Sequence, residues 1–300
     1  MFLIFILYFL FAITFILAKA AISYAAPIAF VGIRMILAGL ALLLYLYFFD
    51  RQSLKIKKSD LKLFVPLAIL HIYIPYIFEF LALEYVSAAK TSLLFNLSPF
   101  ITSIFAYYMF NEKINFKKKV GLVIGFLSFI PIILSQSPME KLAGEFLHIS
   151  IPEILIILSV VSSSFAWITI KESLNKYPSL ITINGITMFL GGIFSIATSL
   201  ILENWNQVPI YNFKNFAFMI IMLILIGNII CYNLYGSLLK KYTATFLSFC
   251  GFLTPIFTAI LQWLIFAERI SWDFLVTTIF LLIGLYIFYK EELAHGIIKS

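Results

Sequence analysis

The chain has 300 residues, of which 63% are apolar and only 12% charged, with a mean hydropathy of +1.05. Soluble domains average roughly 45–50% apolar, so a water-soluble globule is excluded and lipid must solvate most of this surface. The net charge of +7 does not point to nucleic acid, because the cations sit in short loops between apolar runs rather than among aromatics on a solvated face.

A bilayer crossing takes about 20 apolar residues. Ten such runs follow in chain order, at 2–22, 27–49, 61–83, 87–110, 119–136, 152–170, 179–202, 216–239, 243–266 and 272–290. The first begins at Phe2 with neither a basic leader nor a small-residue cleavage site, and reads as a retained span rather than a signal peptide. Cys231 and Cys250 fall inside runs, outside any CxxC spacing, and read as small buried hydrophobes.

Loop charge sets the orientation. With the N-terminus in the cytoplasm, 15 Lys and Arg fall in cytoplasmic segments and 4 (Lys90, Lys141, Lys214, Arg269) in outer ones. Lys19 and Arg34 lie within runs. This bias predicts a multi-pass inner-membrane protein with both termini cytoplasmic.

Two stretches match without a gap at a spacing of 156. Leu97-Ser98-Pro99 aligns with Leu253-Thr254-Pro255, and Phe110-Asn111-Glu112-Lys113-Ile114 with Phe266-Ala267-Glu268-Arg269-Ile270. Between Leu83 and Ile114, 10 of 32 positions are identical to their partners. More weakly, Gly32-Ile33-Arg34-Met35 aligns with Gly185-Ile186-Thr187-Met188 at a spacing of 153. Five spans per half is an odd number, so the second half inserts upside down. The expected fold is all-α and polytopic, with ten transmembrane helices in two inverted five-helix repeats, 1–140 and 141–300.

Ionisable groups inside a span cost roughly 2.5–3.5 kcal/mol each on insertion scales, so they face a cavity or pair with one another. Lys19, Arg34 and Glu79 are such groups. They read either as a structural ion pair of Glu79 with Arg34 or Lys19, or as a site for a zwitterion: a cation for its carboxylate and Glu79 for its amine. For Lys19, snorkelling to the surface competes. His71, Pro75 and Glu79, spaced by four, share a helix face. His71 reads as a proton-linked group or a packing residue. Ser92, Asn96, Pro99 and Ser103 form another stripe. Pro99 and its counterpart Pro255 each free a backbone carbonyl and read as hinges or as inert kinks.

Aromatics beside amides can stack a flat or cationic ligand. Asn228, Tyr232 and Tyr235, with Asn233 adjacent, form one such group; Ser159, Ser163 and Trp167 a second; Gln262 and Trp263 a third. Interfacial belt positions are the alternative for the Trp and Tyr residues. Gly191, Gly192 and Ser195 read as close helix packing. No metal-ligand cluster, phosphate loop or nucleophile–base spacing occurs, so neither an enzyme nor a cofactor is expected.

The run Ala82-Leu83-Glu84-Tyr85-Val86-Ser87-Ala88-Ala89, then Leu97-Ser98-Pro99, then Glu112-Lys113-Ile114, resembles the hallmark of EamA-type carriers of the drug/metabolite transporter superfamily. So do Lys19 near the end of the first span and Arg34 after Pro27 in the second. The resemblance covers essentially the whole chain, once per half; Glu79 departs from it, where a neutral residue is expected. It implies a central cavity and a substrate among amino acids, nucleotide precursors, S-adenosylmethionine and other small metabolites. With no nucleotide site, transport is driven by gradients or exchange.

The expectation is a secondary transporter of a small polar metabolite, an amino acid or derivative such as S-adenosylmethionine, working by alternating access. The contact set is Lys19, Arg34, Glu79, Asn96, Trp167, Tyr232, Asn233 and Trp263, with Pro99 and Pro255 as hinges. Lys outnumbers Arg 18 to 3, as in proteins of AT-rich, host-dependent genomes, which favours import or exchange. An exporter of toxic compounds and a non-transporting scaffold are the rivals. The partners expected are the substrate and the bilayer, not nucleic acid, for a monomer or homodimer.

Overall fold

The computed structural model describes residues 2–54, 56–110, 115–174, 176–177, 179–239, 241–242, 247 and 249–293. The Glu112-Lys113-Ile114 motif and part of the ninth expected span lie outside them. The chain is helical almost throughout. α1 (Phe2–Ala21) and α2 (Pro27–Phe49) are each continuous, and α2 opens on a proline, whose missing N–H costs nothing in a first turn. α3 (Leu61–Ala68) passes through a π-helical segment, Ile69–Tyr73, into α4 (Ile74–Leu83). α5 (Ala88–Leu94) and α6 (Ser98–Phe110) are joined by a 3-10 turn at Phe95–Leu97. α7 (Phe116–Leu127), α8 (Ile130–Leu134) and α9 (Pro138–Leu142) follow.

The second part of the chain runs α10 (Ile151–Ser173), α11 (Leu180–Leu202), α12 (Phe213–Leu223), a π segment at Ile224–Cys231, α13 (Tyr232–Leu239), α14 (Leu253–Phe266) and α15 (Trp272–Leu293). A hairpin of two-residue strands, β1 (Glu145–Phe146) and β2 (Ile149–Ser150), precedes α10, a small exception to the all-α expectation.

Among the described residues, seven helices are long and apolar enough to cross a bilayer. Leu253–Phe266 and Trp272–Phe288 are shorter apolar helices. The expected fifth span, 119–136, is broken between α7 and α8 at Ser128 and Phe129. The protein is thus an all-helical polytopic membrane protein in outline.

Glycines bring α2 and α11 together. A Cβ on Gly39 would lie 2.5 Å from the Phe189 nitrogen and 2.8 Å from the Gly185 oxygen. On the other side, a Cβ on Gly192 would lie 2.6 Å from the Ile36 nitrogen and 3.0 Å from the Gly32 oxygen. The helices run antiparallel, backbone against backbone. Lipid tails are as apolar as any side chain, so such close contact, rather than hydrophobic burial, is what favours helix association here. The expected packing role of Gly191, Gly192 and Ser195 agrees with this: Gly191 abuts Ile72, and Ser195 is buried with its hydroxyl donating to Gly191 O at 2.9 Å.

Contacts between connections define two ends of the bundle. At one, Ala26 N donates to Pro209 O and Tyr211 N to Tyr24 O. There too, the Glu203 carboxylate at the end of α11 accepts from Ile28 N at 2.7 Å and Ala29 N at 2.8 Å. It caps α2, whose own N-cap, Ala26, has no acceptor side chain. At the other end, Thr182 donates to Ser53 O and Lys176 pairs with Asp60 at 2.8 Å.

The glycine crossing gives a test. Gly39→Val and Gly192→Val should each force the helices apart and destabilise the protein by about 1–3 kcal/mol. The same change at Gly144, whose φ is +93° and whose added Cβ would meet only the end of the Ile151 side chain at 3.0 Å, serves as a comparison away from any helix crossing. Thermal unfolding followed in detergent, with size-exclusion profiles, measures this; wild-type melting in both crossing variants would refute the close-contact account.

Candidate substrate cavity

A cavity of about 250 Å³ lies between α1, α2, α4, the π segments, α5, α6, α10, α13 and α14. Each π segment gives one residue to its wall, His71 and Gly227. His71 lies in the first; Gly227 and Asn228 lie in the second. Proline explains part of the first irregularity: Pro75 offers no N–H to the preceding turn. The backbone left loose is satisfied from α10, where Ser162 donates to Leu70 O at 2.8 Å and Ser159 to Pro75 O at 3.0 Å.

Arg34 projects from α2 into this region and is 3% exposed. Its Nε donates to Asn228 Oδ1 at 2.9 Å, and its guanidinium lies 5.2 Å from the centre of the Tyr76 ring. The Asn228 amide nitrogen faces the sulfurs of Met35 at 3.4 Å and Met188 at 3.6 Å. Gly227 leaves room for the guanidinium: a Cβ there would meet Arg34 Nη2 at 3.0 Å. Glu79 also lines the cavity. The ion pairs within 4.0 Å among the described residues are Lys90–Glu140, Lys90–Glu153 and Lys176–Asp60. Arg34 and Glu79 therefore share the cavity without closing on each other.

Aromatic rings form the rest of the wall. Trp167 lies 4.9 Å from His71, 5.6 Å from Tyr232 and 5.3 Å from Tyr235, centre to centre. The Tyr76 and Tyr232 hydroxyls bond each other at 2.7 Å. Asn96 lines the cavity from the 3-10 turn, its amide donating to Ser92 O at 3.1 Å. The chamber thus offers a fixed cation, a carboxyl, a neutral amide and stacking surfaces, which suits a small ligand of mixed polarity.

The structure brings together Arg34, Glu79, Asn96, Trp167 and Tyr232 of the expected contact set. Three others lie elsewhere. Lys19 donates to Leu83 O and, at 3.1 Å, to Val86 O, closing the end of α4, where exposed carbonyls attract a cation. Lys19 lines a second cavity, of about 510 Å³. Asn233 turns back on its own helix and donates to Ile229 O at 2.6 Å. Trp263 is 54% exposed, because consecutive helical residues point about 100° apart and Gln262 takes the inward direction, accepting from Ala89 N at 2.8 Å.

The hinge residues also need correction. Pro99 lines the cavity and Pro255, which follows the cavity-lining Thr254, is buried, but both stand in the first turn of a helix, where proline interrupts nothing. The interruptions come just before them, in the 3-10 turn at Phe95–Leu97 and the turn at Gly251–Phe252.

Tyr76 is the main cavity residue that sequence reasoning misses. It stands 156 positions before Tyr232, the same spacing as the internal repeat, and that spacing was its available signal. Tyr8, Phe11 and Phe15 of α1 also line the chamber and are hidden in the sequence by a uniformly apolar helix.

A transmembrane helical bundle around a chamber for a small ligand defines a class: multi-pass membrane proteins that handle small solutes. The chain belongs to the EamA-like transporter family, which matches residues 1–134 and 150–290. It is similar, at 32% identity over 100% of this chain and 94% of the relative, to the S-adenosylmethionine/S-adenosylhomocysteine transporter of Chlamydia muridarum. The protein of that name in Chlamydia trachomatis serovar L2 is 31% identical over 100% of this chain and 91% of its own length. An uncharacterized transporter of Buchnera aphidicola subsp. Schizaphis graminum is 26% identical over 86% and 83%. A solved crystal structure superposes with a TM-score of 0.63 over 96% of each chain at 13% identity, a likeness of fold alone. The protein is a membrane transporter.

The tyrosine pair gives a test. Tyr76→Phe and Tyr232→Phe each remove the same bond, so each should lower stability by about 1 kcal/mol and the double variant by little more than either. Additive losses in a thermal double-mutant cycle would show that the two hydroxyls act separately.

Proposed function

We propose that the chain is a secondary carrier exchanging S-adenosylmethionine and S-adenosylhomocysteine across the inner membrane by alternating access. The observation that carries this is the chamber itself: Arg34 and Glu79 face one space without closing on each other, beside the rings of Trp167, Tyr232 and Tyr235. The substrate has matching parts. Arg34 binds its α-carboxylate, Glu79 its α-ammonium, and the rings take the sulfonium and the base. Asn96 adds an amide contact. The chlamydial relatives' names support this choice of substrate. The protein needs no second chain for this chemistry and works as a monomer or homodimer.

Alternating access follows from ten helices in two inverted halves, 1–140 and 141–300. Three observations support that layout. The glycine contacts of α2 and α11 repeat at a spacing of 153, as Gly39 against Phe189 and Gly192 against Ile36. The π segments occupy matching places in the third and eighth spans. Tyr76 and Tyr232, 156 apart, bond each other as residues on an axis between the halves would. Rocking occurs at the breaks before Pro99 and Pro255.

Transport in liposomes tests the substrate and the site together. Labelled S-adenosylmethionine should enter vesicles loaded with S-adenosylhomocysteine much faster than empty ones. Arg34→Ala and Glu79→Gln at matched protein density should each lower uptake by roughly 10- to 150-fold, the equivalent of ~1.5–3 kcal/mol for a charged hydrogen bond. The variant with both residues neutral should not recover; near wild-type uptake in it would make the two charges a structural pair only.

Orientation is tested by labelling. In a background without Cys231 and Cys250, a cysteine at Asn115 should resist an impermeant reagent applied outside, and one at Asn204 should react. The reverse pattern overturns the cytoplasmic placement of both termini.

A further inference from the structure

His71 is 1% exposed, lines the cavity, and makes no hydrogen bond through either ring nitrogen. Asn184 on α11 is fully buried, and neither its amide oxygen nor its nitrogen makes one. The two side chains approach each other as hydrogen-bond partners, without reaching full bond geometry. Beyond that mutual approach, a ring nitrogen of His71 on the chamber wall and an amide atom of Asn184 behind it are buried with no other partner. Buried polar groups are nearly always satisfied, and an orphaned one costs its full desolvation. The surroundings are not loosely made: the carbonyls of Leu70 and Pro75, on the same helix as His71, both receive serine hydroxyls from α10.

The orphaned atoms sit beside flat surfaces. The His71 ring lies 4.9 Å from Trp167 and 5.6 Å from Tyr232. A neutral imidazole presents one donor and one acceptor, and so does an amide edge. The complement is a planar heterocycle that stacks on the aromatic wall and shows a donor next to an acceptor along its rim. An adenine base has this pattern, with its N6 amino group beside a ring nitrogen. We infer that His71, backed by Asn184, reads the edge of the adenine base of the substrate. The inference rests on the carrier reading above and names the part of the substrate that this end of the chamber recognises. The reader is one-sided, because the residue 156 positions after His71 is Gly227. The ligand therefore binds in one orientation, with its base toward His71 and its amino-acid end toward Arg34 and Glu79.

Competition against labelled S-adenosylmethionine, bound to purified protein in detergent, tests this. Three competitors separate the parts. S-adenosylhomocysteine carries the adenine edge. S-inosylhomocysteine replaces the amino group by a carbonyl and reverses the pattern. S-methylmethionine has the charged end and no base. Wild type should prefer the adenosyl over the inosyl compound by at least about tenfold, as expected when a polar site meets the wrong edge. In His71→Phe and Asn184→Leu the preference should shrink to about twofold or less, with S-methylmethionine competition unchanged. Their melting temperatures should equal or exceed wild type, since each change removes orphaned polar atoms.

Persistence of the adenosyl preference in both variants overturns the inference and leaves the carrier reading standing. So does a proportional loss of all three competitors with a lower melting temperature, which marks a packing role. Failure of S-adenosylhomocysteine to compete in wild type overturns the carrier's substrate, and the base-reading role falls with it.

Discussion

The backbone crossing of α2 and α11 is the contact on which the rest of the architecture depends. Helices in lipid gain little from burying apolar side chains against one another, so association rests on close van der Waals contact and polar closure. Four glycines supply the contact, with Gly32 and Gly185 offering carbonyl oxygens where Gly192 and Gly39 approach. Polar closure comes from Glu203, which completes the open N-terminus of α2 from the far end of α11. With α2 fixed in this way, Arg34 is fixed as well. Its guanidinium meets the space left by Gly227 and the acceptor offered by Asn228.

Buried charge has been handled in two different ways in this molecule. At one end, Lys90 bridges Glu140 at 2.6 Å and Glu153 at 2.7 Å, all three buried, and Glu153 also closes the capping box of α10 with Ser150. That network is satisfied within the protein and ties α5 to α9 and α10. In the central chamber, Arg34 and Glu79 are not closed on each other, and His71 has no hydrogen bond of full geometry. The peripheral charges are thus paired within the protein, while the central carboxyl and guanidinium face a shared space, as the proposed ligand site requires.

The stretches of sequence that align at spacings of 153 and 156 differ in chemistry. Arg34 corresponds to Thr187 and Glu79 to Tyr235, while Tyr76 and Tyr232 remain the same and bond each other. A symmetric chamber would bind a symmetric ligand or bind one ligand in two orientations. Placing the cation and the acid in one copy and the tryptophan in the other gives the chamber distinct ends.

Much of this was legible in sequence, for physical reasons that differ by element. Apolar runs reported helices at 2–22, 27–49 and 179–202 within a residue or two, because lipid imposes length and composition on a span. Arg34 and Glu79 stood out because charge in an apolar run is costly, and the cavity proved to hold both. Ser150 and Glu153 carried a readable capping signal that loop-charge reasoning passed over, which is why Lys90 counted as a loop cation when it is buried. Sequence spacing could not tell which way a neighbouring residue points once a π segment or 3-10 turn shifts the helical phase. Asn233, just after a π segment, turns to its own helix; Trp263 and Lys19 lie on regular helices and read as contacts by their residue type alone, whereas the fold turns them to the surface and to the end of α4. Composition and periodicity determined that the chain lives in lipid and repeats itself. Tertiary structure alone decided which polar groups meet, because that depends on helix crossings and backbone irregularities set by contacts between residues about 150 or more positions apart.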